Sequence, residues 1–123
     1  MSKEMQKGST FESDVAGYSA RRLGDDRIER RAKNGKNDRG DIAGIRIRGK
    51  RCVVECKNHR RMELSKWLDE AEVERSNDDA EYGVVIHKRK GCGAKKMGCT
   101  YVTMTFDTFL AIVAGGHDFL EDE

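Results

Sequence analysis

No run of about 18 apolar residues occurs anywhere in the 123-residue chain, and no charged-then-apolar leader opens it, so neither membrane insertion nor secretion is expected. A cytoplasmic protein is the expectation. The four cysteines, Cys52, Cys56, Cys92 and Cys99, show no CxxC spacing, and a reducing compartment keeps such thiols free, so no disulfide framework is expected. Internal repeats and low-complexity segments are absent. The length suits one domain that buries a modest core without staples, so one site is sought, not several.

Charge is present in quantity but unevenly spread. Residues 1–61 hold 17 Lys and Arg against 9 Asp and Glu, a net +8, whereas residues 62–123 hold 7 against 13, a net −6. Such asymmetry fits one surface that meets a polyanion and another that stays acidic, although charge runs also serve as solvated faces.

Ser9 stands three residues before Glu12, a capping-box signature, and Phe11, Val15 and Tyr18 follow at helical spacing, which predicts a helix over 10–23. A polar, basic loop comes next, with Arg27, Arg30, Arg31, Lys33, Lys36 and Arg39. Residues 41–57 read as two strands around Gly49. A three-residue loop at 48–50 pairs Asp41 with Lys57 and gathers Asp41, Glu55 and Lys57 on one face. A two-residue loop at 49–50 pairs Asp41 with Asn58 and turns it away, unless a bend or bulge within 40–44 re-aims it.

Leu64, Trp67, Leu68 and Ala71 form the apolar stripe of an amphipathic helix, with acids on its other side. "YGVVIHK" has the continuous apolarity of a buried central strand. "RKGCGAKKMGC" is a basic, glycine-rich loop, and "TYVTMTF" alternates like a strand. Asp107 is expected to open a last helix through Phe109, Leu110 and Val113, closed by Gly115 and Gly116. The acidic tail 117–123 is expected to fray. Helices and strands in this order can enclose a mixed sheet and predict a single α/β or α+β layered domain.

The chemistry concentrates in "RCVVECKNH". Glu55 and Lys57 are two apart in a strand and so share a face, and Asp41 precedes Glu55 by fourteen residues. Two carboxylates on one hairpin can share a hard divalent cation such as Mg²⁺, which polarises a phosphoryl oxygen and acidifies bound water. A neighbouring lysine orients that water or stabilises charge on the phosphate. The plainer reading of Glu55 and Lys57 is an ion pair on an exposed sheet.

"KGSTFE", "RGDIAG" and "VVECKN", followed by an amphipathic helix and "YGVVIHK", resemble the PD-(D/E)XK nuclease superfamily, and within it the archaeal-type Holliday junction resolvases, small homodimers that cut four-way DNA junctions. The resemblance covers roughly residues 7–113. It implies a restriction-endonuclease-like mixed β-sheet flanked by helices, and a Mg²⁺-dependent endonuclease (Mn²⁺ substituting) acting on branched DNA in recombination, repair or replication. It implies that Asp41 and Glu55 ligate the metal with the Cys56 carbonyl, that Lys57 is the catalytic lysine, and that Glu12 reaches the metal through water. Helix capping with Ser9 is the rival role for Glu12. Gly40 replaces the proline of the family's name. The glutamine that many relatives carry on the following helix is absent, with Glu70 or Glu72 nearby.

Basic residues fit a DNA partner. Lys7, Lys33, Lys36, Arg39, Arg60 and Arg61 flank the motif, and Lys88, Arg89, Lys90, Lys95 and Lys96 form a second cluster. Phosphate contacts of this kind give affinity without sequence information. Ser9, Asn34 and Asn37 are further candidates for backbone contact. His59 is read as a solvated residue or a phosphate contact, and Trp67 as core. Cys92 and Cys99 with His87 or His117 match no strong zinc template. Val102, Met104, Phe109 and Val113 are candidates for a dimer interface, with core packing as the other use. A phage or mobile-element origin, and hence the host's cytoplasm, is the expectation. Flap, single-strand or duplex cleavage by the same fold, and a non-catalytic nucleic-acid binding module, are the alternatives.

Overall fold

The computed structural model describes residues 3–32 and 37–123, with the side chains of residues 4 and 5 omitted; Lys33, Asn34 and Lys36 therefore lie outside the described residues. Helix α1 (Lys3–Leu23) leads into strands β1 (Glu29–Arg30), β2 (Ile42–Ala43), β3 (Arg46–Ile47) and β4 (Lys50–Lys57). Helix α2 (Leu64–Asp78), β5 (Tyr82–His87), a 3₁₀ turn (Ala94–Cys99), β6 (Tyr101–Thr103), α3 (Phe106–Ala114) and a second 3₁₀ turn (His117–Phe119) complete the chain. The six strands form one mixed open sheet in the order β1-β2-β4-β5-β6, with β3 also on β4. Only β4 and β5 run parallel among the described pairings, because α2 carries the chain back between them.

The alternation of β4 assigns its two faces. Cys52, Val54 and Cys56 face α1 and pack with Phe11, Val15, Tyr82 and Val84. The opposite face, that of Val53, Glu55 and Lys57, lies under α2. There Trp67 and Ala71 pack against Val85, which sits beside Glu55 in the β4–β5 register. The central position expected for "YGVVIHK" and the core role expected for Trp67 are thus what the fold contains, and Cys52 and Cys56 are core residues too. Truncating so buried an indole costs about 3–5 kcal/mol.

Several local expectations need correction. The first helix starts at Lys3, since Lys3 to Lys7 are mostly good helix formers and nothing breaks them from the turns that follow. Ser9 therefore lies inside the helix and cannot cap it. Arg48 and Gly49 both take positive φ, 50° and 85°, and form a two-residue hairpin loop, with Ile47 opposite Lys50. Neither expected loop is used. Between that turn and β2 the pairing shifts by one residue, from Arg46 opposite Arg51 to Ile42 opposite Val54. The shift is a bulge at Gly44, whose φ is +93° and where a Cβ would lie 2.9 Å from the Arg27 carbonyl oxygen. Of the two devices that re-aim Asp41, the chain uses the bulge.

The last helix is capped by Thr105, whose hydroxyl accepts from the Thr108 N–H at 3.1 Å, so Asp107 sits in the first turn instead of at the cap. The tail is held as far as Leu120: the Lys50 ammonium lies 5.8 Å from the Phe119 ring centre, and Leu120 packs on the core. No described helix is long and apolar enough to cross a membrane.

Candidate metal and nucleic-acid site

Glu55 points from the middle of the sheet toward α2, and the elements around it bring acids to the same place. Asp41, at the entry to β2, is fixed by its backbone and its side chain: its N–H donates to the Val54 carbonyl at 2.8 Å, and its Oδ2 accepts from the Cys56 N–H at 2.7 Å. Gly40 makes this entry possible, with φ +99° and a Cβ position only 2.8 Å from Val53 Cγ1. Proline, locked near φ −65°, does not fit this backbone. The glycine that stands where the resemblance leads one to expect proline is therefore built into the chain path.

Asp38, Glu55 and Glu74 offer carboxylate oxygens that all lie within 4.8 Å of one another. Asp41, Glu55 and Glu74 are 1%, 4% and 8% exposed. Glu55 Oε2 and Glu74 Oε2 are buried with no hydrogen-bond partner among the described residues. Burial first, then hydrogen bonding with Glu74 and Asp41 and their negative fields, raises the Glu55 carboxyl far above the ordinary carboxylate range. Glu74 is raised as well, chiefly by burial and by the charges of Asp38 and Asp41, against the hydrogen bond with Glu55 and the field of Lys57, which lower it. So many buried acids around one lysine demand either a bound proton or a cation.

Lys57 sits at the rim of this group. Its Nζ lies 2.6 Å from Glu70 Oε2 and 4.0 Å from Glu55 Oε1. Burial pulls its ammonium toward neutrality, but the Glu70 hydrogen bond and the fields of Glu55, Glu70 and Asp41 outweigh that, and the group is raised overall. The ammonium is held charged.

The expected trio of Asp41, Glu55 and Lys57 is thus brought together, with the Cys56 backbone bonded to Asp41. Glu12 is buried on α1 and stands apart from the Asp38, Glu55 and Glu74 group, with Arg30 Nη2 3.8 Å from its Oε2. Glu72, named as a neighbour, faces away and pairs with Arg75 at 2.6 Å. Glu74 and Asp38 were not anticipated. Glu74 continues the Trp67 and Ala71 stripe at the next helical step, so an acid on the buried side was the available signal. Asp38 carried none: a local turn, in which its Oδ1 accepts from the Gly40 N–H at 3.1 Å, sets its side chain, and a tertiary bond from Asn77 to its carbonyl at 2.9 Å sets its place.

The basic residues divide into groups. A cleft of about 690 Å³ runs from Cys56 along Lys7, His59, Arg60 and Arg61. A second, of about 730 Å³, shares Lys7, His59 and Arg60 and continues to Lys88, Lys90 and Tyr101. Ser9, Lys95 and Lys96 line neither cleft; Lys95 and Lys96 belong to the 3₁₀ turn that packs against α1. Arg39 lies by the C-terminal end of α2, 3.7 Å from Asp78, which Arg31 and Arg51 also approach. Asn37 is exposed. Among the described residues, Cys92, Cys99, His87 and His117 form no group that could hold a metal.

No protein-family model, curated protein or solved structure matches this chain.

Proposed function

We propose that this chain is a divalent-metal-dependent DNA endonuclease of restriction-endonuclease-like fold, similar in kind to archaeal-type Holliday junction resolvases, hydrolysing phosphodiester bonds in branched DNA. One observation carries the reading. Glu55 on the central parallel pair meets Asp41 from the entry to β2 and Glu74 from the covering helix, with Lys57 two residues away and buried Glu55 and Glu74 oxygens that have no donor among the described residues. The element order supports it too: a helix, antiparallel strands carrying Asp41 and the Glu55, Lys57 pair, a crossover helix, then a parallel strand.

The donor set fits a hard cation, because the group is made of carboxylate oxygens with no sulfur or imidazole among them. Asp41 and Glu55, with the Cys56 carbonyl, would hold Mg²⁺ or Mn²⁺, and Glu74 and Asp38 would add oxygens. When bound, the ion supplies charge neutralisation at the phosphate and acidifies water. The chain's own residues do the rest. Lys57, held as an ammonium by Glu70, has no lone pair with which to take a proton, so it donates to the attacking water or to the phosphate oxygens as charge builds there. Lys7, Arg60 and Arg61 hold the strand's phosphates in the cleft that opens on Cys56.

Pairing of two copies completes the reading. Val102, Phe106, Phe109 and Val113 are exposed on β6 and α3, and a two-fold contact through this face would set two sites against opposed strands.

The test is cleavage of a labelled four-way junction, a flap and a linear duplex, with Mg²⁺ or with chelator, by the native protein and by Asp41→Asn. Paired Mg²⁺-dependent cuts in the junction, lost in the variant, are expected. Cutting of flap or duplex alone would overturn the substrate and keep the metal site; binding without cleavage under any divalent metal would overturn the enzyme.

A further inference from the structure

The proposed function uses the first cleft, beside Cys56, for the strand's phosphates, and leaves the second without a task. Among the described residues its lining includes five lysines and arginines, Lys7, Arg60, Lys88, Arg89 and Lys90, and no acid. A wall that gripped only duplex backbone would need nothing more than these charges. This one also carries rings.

Tyr101 is 43% exposed, and the Arg89 guanidinium lies 5.4 Å from its ring centre. Behind it stands a row of aromatic side chains: His87 at 5.5 Å from Tyr101, Trp67 at 5.6 Å from His87, and His59 at 5.6 Å from Trp67. The inner two, Trp67 and His87, are buried, while the outer two, His59 and Tyr101, line the same cleft. His87 Nε2 is hydrogen-bonded to Thr103 Oγ1 at 2.6 Å, tying β5 to the strand that bears Tyr101. The Tyr101 ring is therefore backed by fixed groups and does not need to be ordered on binding, which lowers the cost of using it as a platform.

A cationic cleft with a braced, half-exposed ring matches a ligand that is both anionic and flat. We propose that it takes an unpaired nucleotide of the DNA strand: the base stacks on the Tyr101 face that Arg89 covers, and Arg89 moves out to join Lys88 and Lys90 on the phosphates. Paired bases present no free face to such a ring, so the cleft favours DNA with unpaired nucleotides next to the cut. This rests on the nuclease reading for its position beside the scissile phosphate, but not for the binding itself.

The experiment is equilibrium binding, in chelator so that nothing is cut, of a fluorescein-labelled single strand and a duplex of equal length to the native protein, Tyr101→Ala and Tyr101→Phe, with emission of the single tryptophan, Trp67, as the check on folding. Tyr101→Ala should weaken single-strand binding about tenfold and duplex binding far less, while Tyr101→Phe, which keeps the ring, should stay close to native. A 2-aminopurine placed in the single strand should be quenched by the native protein and by Tyr101→Phe, and not by Tyr101→Ala. Equal losses on both DNAs, unchanged single-strand affinity in Tyr101→Ala, or loss in Tyr101→Phe as large as in Tyr101→Ala would overturn the proposal. If the native protein shows this binding pattern and cuts no DNA with any divalent metal, the nuclease reading fails and the nucleotide site stands; if it cuts junctions and Tyr101→Ala binds like native, the reverse holds.

Discussion

The Lys57 ammonium stands 2.6 Å from Glu70 Oε2, a bond that joins the end of β4 to the helix above it. On the same face Glu55 lies 4.0 Å from that ammonium. The base beside the acid thus faces the acids of the site and is itself anchored from α2 through Glu70.

Lys57→Ala should lower cleavage by at least about a hundredfold while leaving divalent-metal binding in place, if the lysine donates to the reacting groups as proposed and holds no metal. Glu70→Gln should cost less, about tenfold, by loosening the ammonium without removing it. Single-turnover rates beside metal titrations check both. Equal loss of metal binding and rate in Lys57→Ala would place the lysine in the ligand scaffold instead.

The elevated Glu55 carboxyl makes stability depend on pH in a defined direction. Its folded value lies above the unfolded one of 4.5, so the folded state holds the extra proton. The stabilisation is complete below the unfolded value and drains away as pH rises toward the folded one. Thermal unfolding in chelator should therefore move to lower temperature from about pH 5 to about pH 9, more steeply for the native protein than for Glu55→Gln. Mg²⁺ should flatten the native curve by taking the proton's place. A slope unchanged in Glu55→Gln would assign the proton elsewhere.

Gly40→Ala should destabilise the fold by about 1–3 kcal/mol, because alanine at φ +99° is strained and its Cβ meets Val53. Metal affinity should fall too, since the residue that moves next is Asp41. Denaturant unfolding with a metal titration checks the pair of effects. Native-like stability would mean that the chain relaxes at this entry.

Legibility in the sequence followed the length of each signal. Glu55 and Lys57 could be read together because a period of two is enough to place them on one face, and the buried strand Tyr82–His87 showed as a continuous apolar run. Strand β1 has only two residues, both exposed, too short for any periodicity. Ser9 misled because a capping box is a local pattern, and it competed with helix formers upstream that carry the helix back to Lys3. Asp41 needed a bulge to face Glu55, and Gly44 marked where one could form without saying that it would. Asp38 was out of reach altogether, held by Asn77 from a helix 39 residues on.

The apolar face of β6 and α3 predicts self-association. Phe106 and Val113 are 74% and 69% exposed, neighbouring apolar surface of the kind that marks interaction sites. Sedimentation should find a dimer for the native protein and a monomer for Phe109→Glu with Val113→Glu. Both substitutions are on the exposed side, so the fold should survive; a native monomer at high concentration would remove the two-fold arrangement.

The most direct measurement is calorimetric titration of Mg²⁺ and Mn²⁺ into the metal-free protein and into Glu55→Gln, in two buffers of different ionisation enthalpy. One strong site per chain is expected in the native protein, with protons released on binding, and neither the site nor the release in Glu55→Gln. Absence of binding to the native protein, or unchanged binding in the variant, would contradict the proposed site.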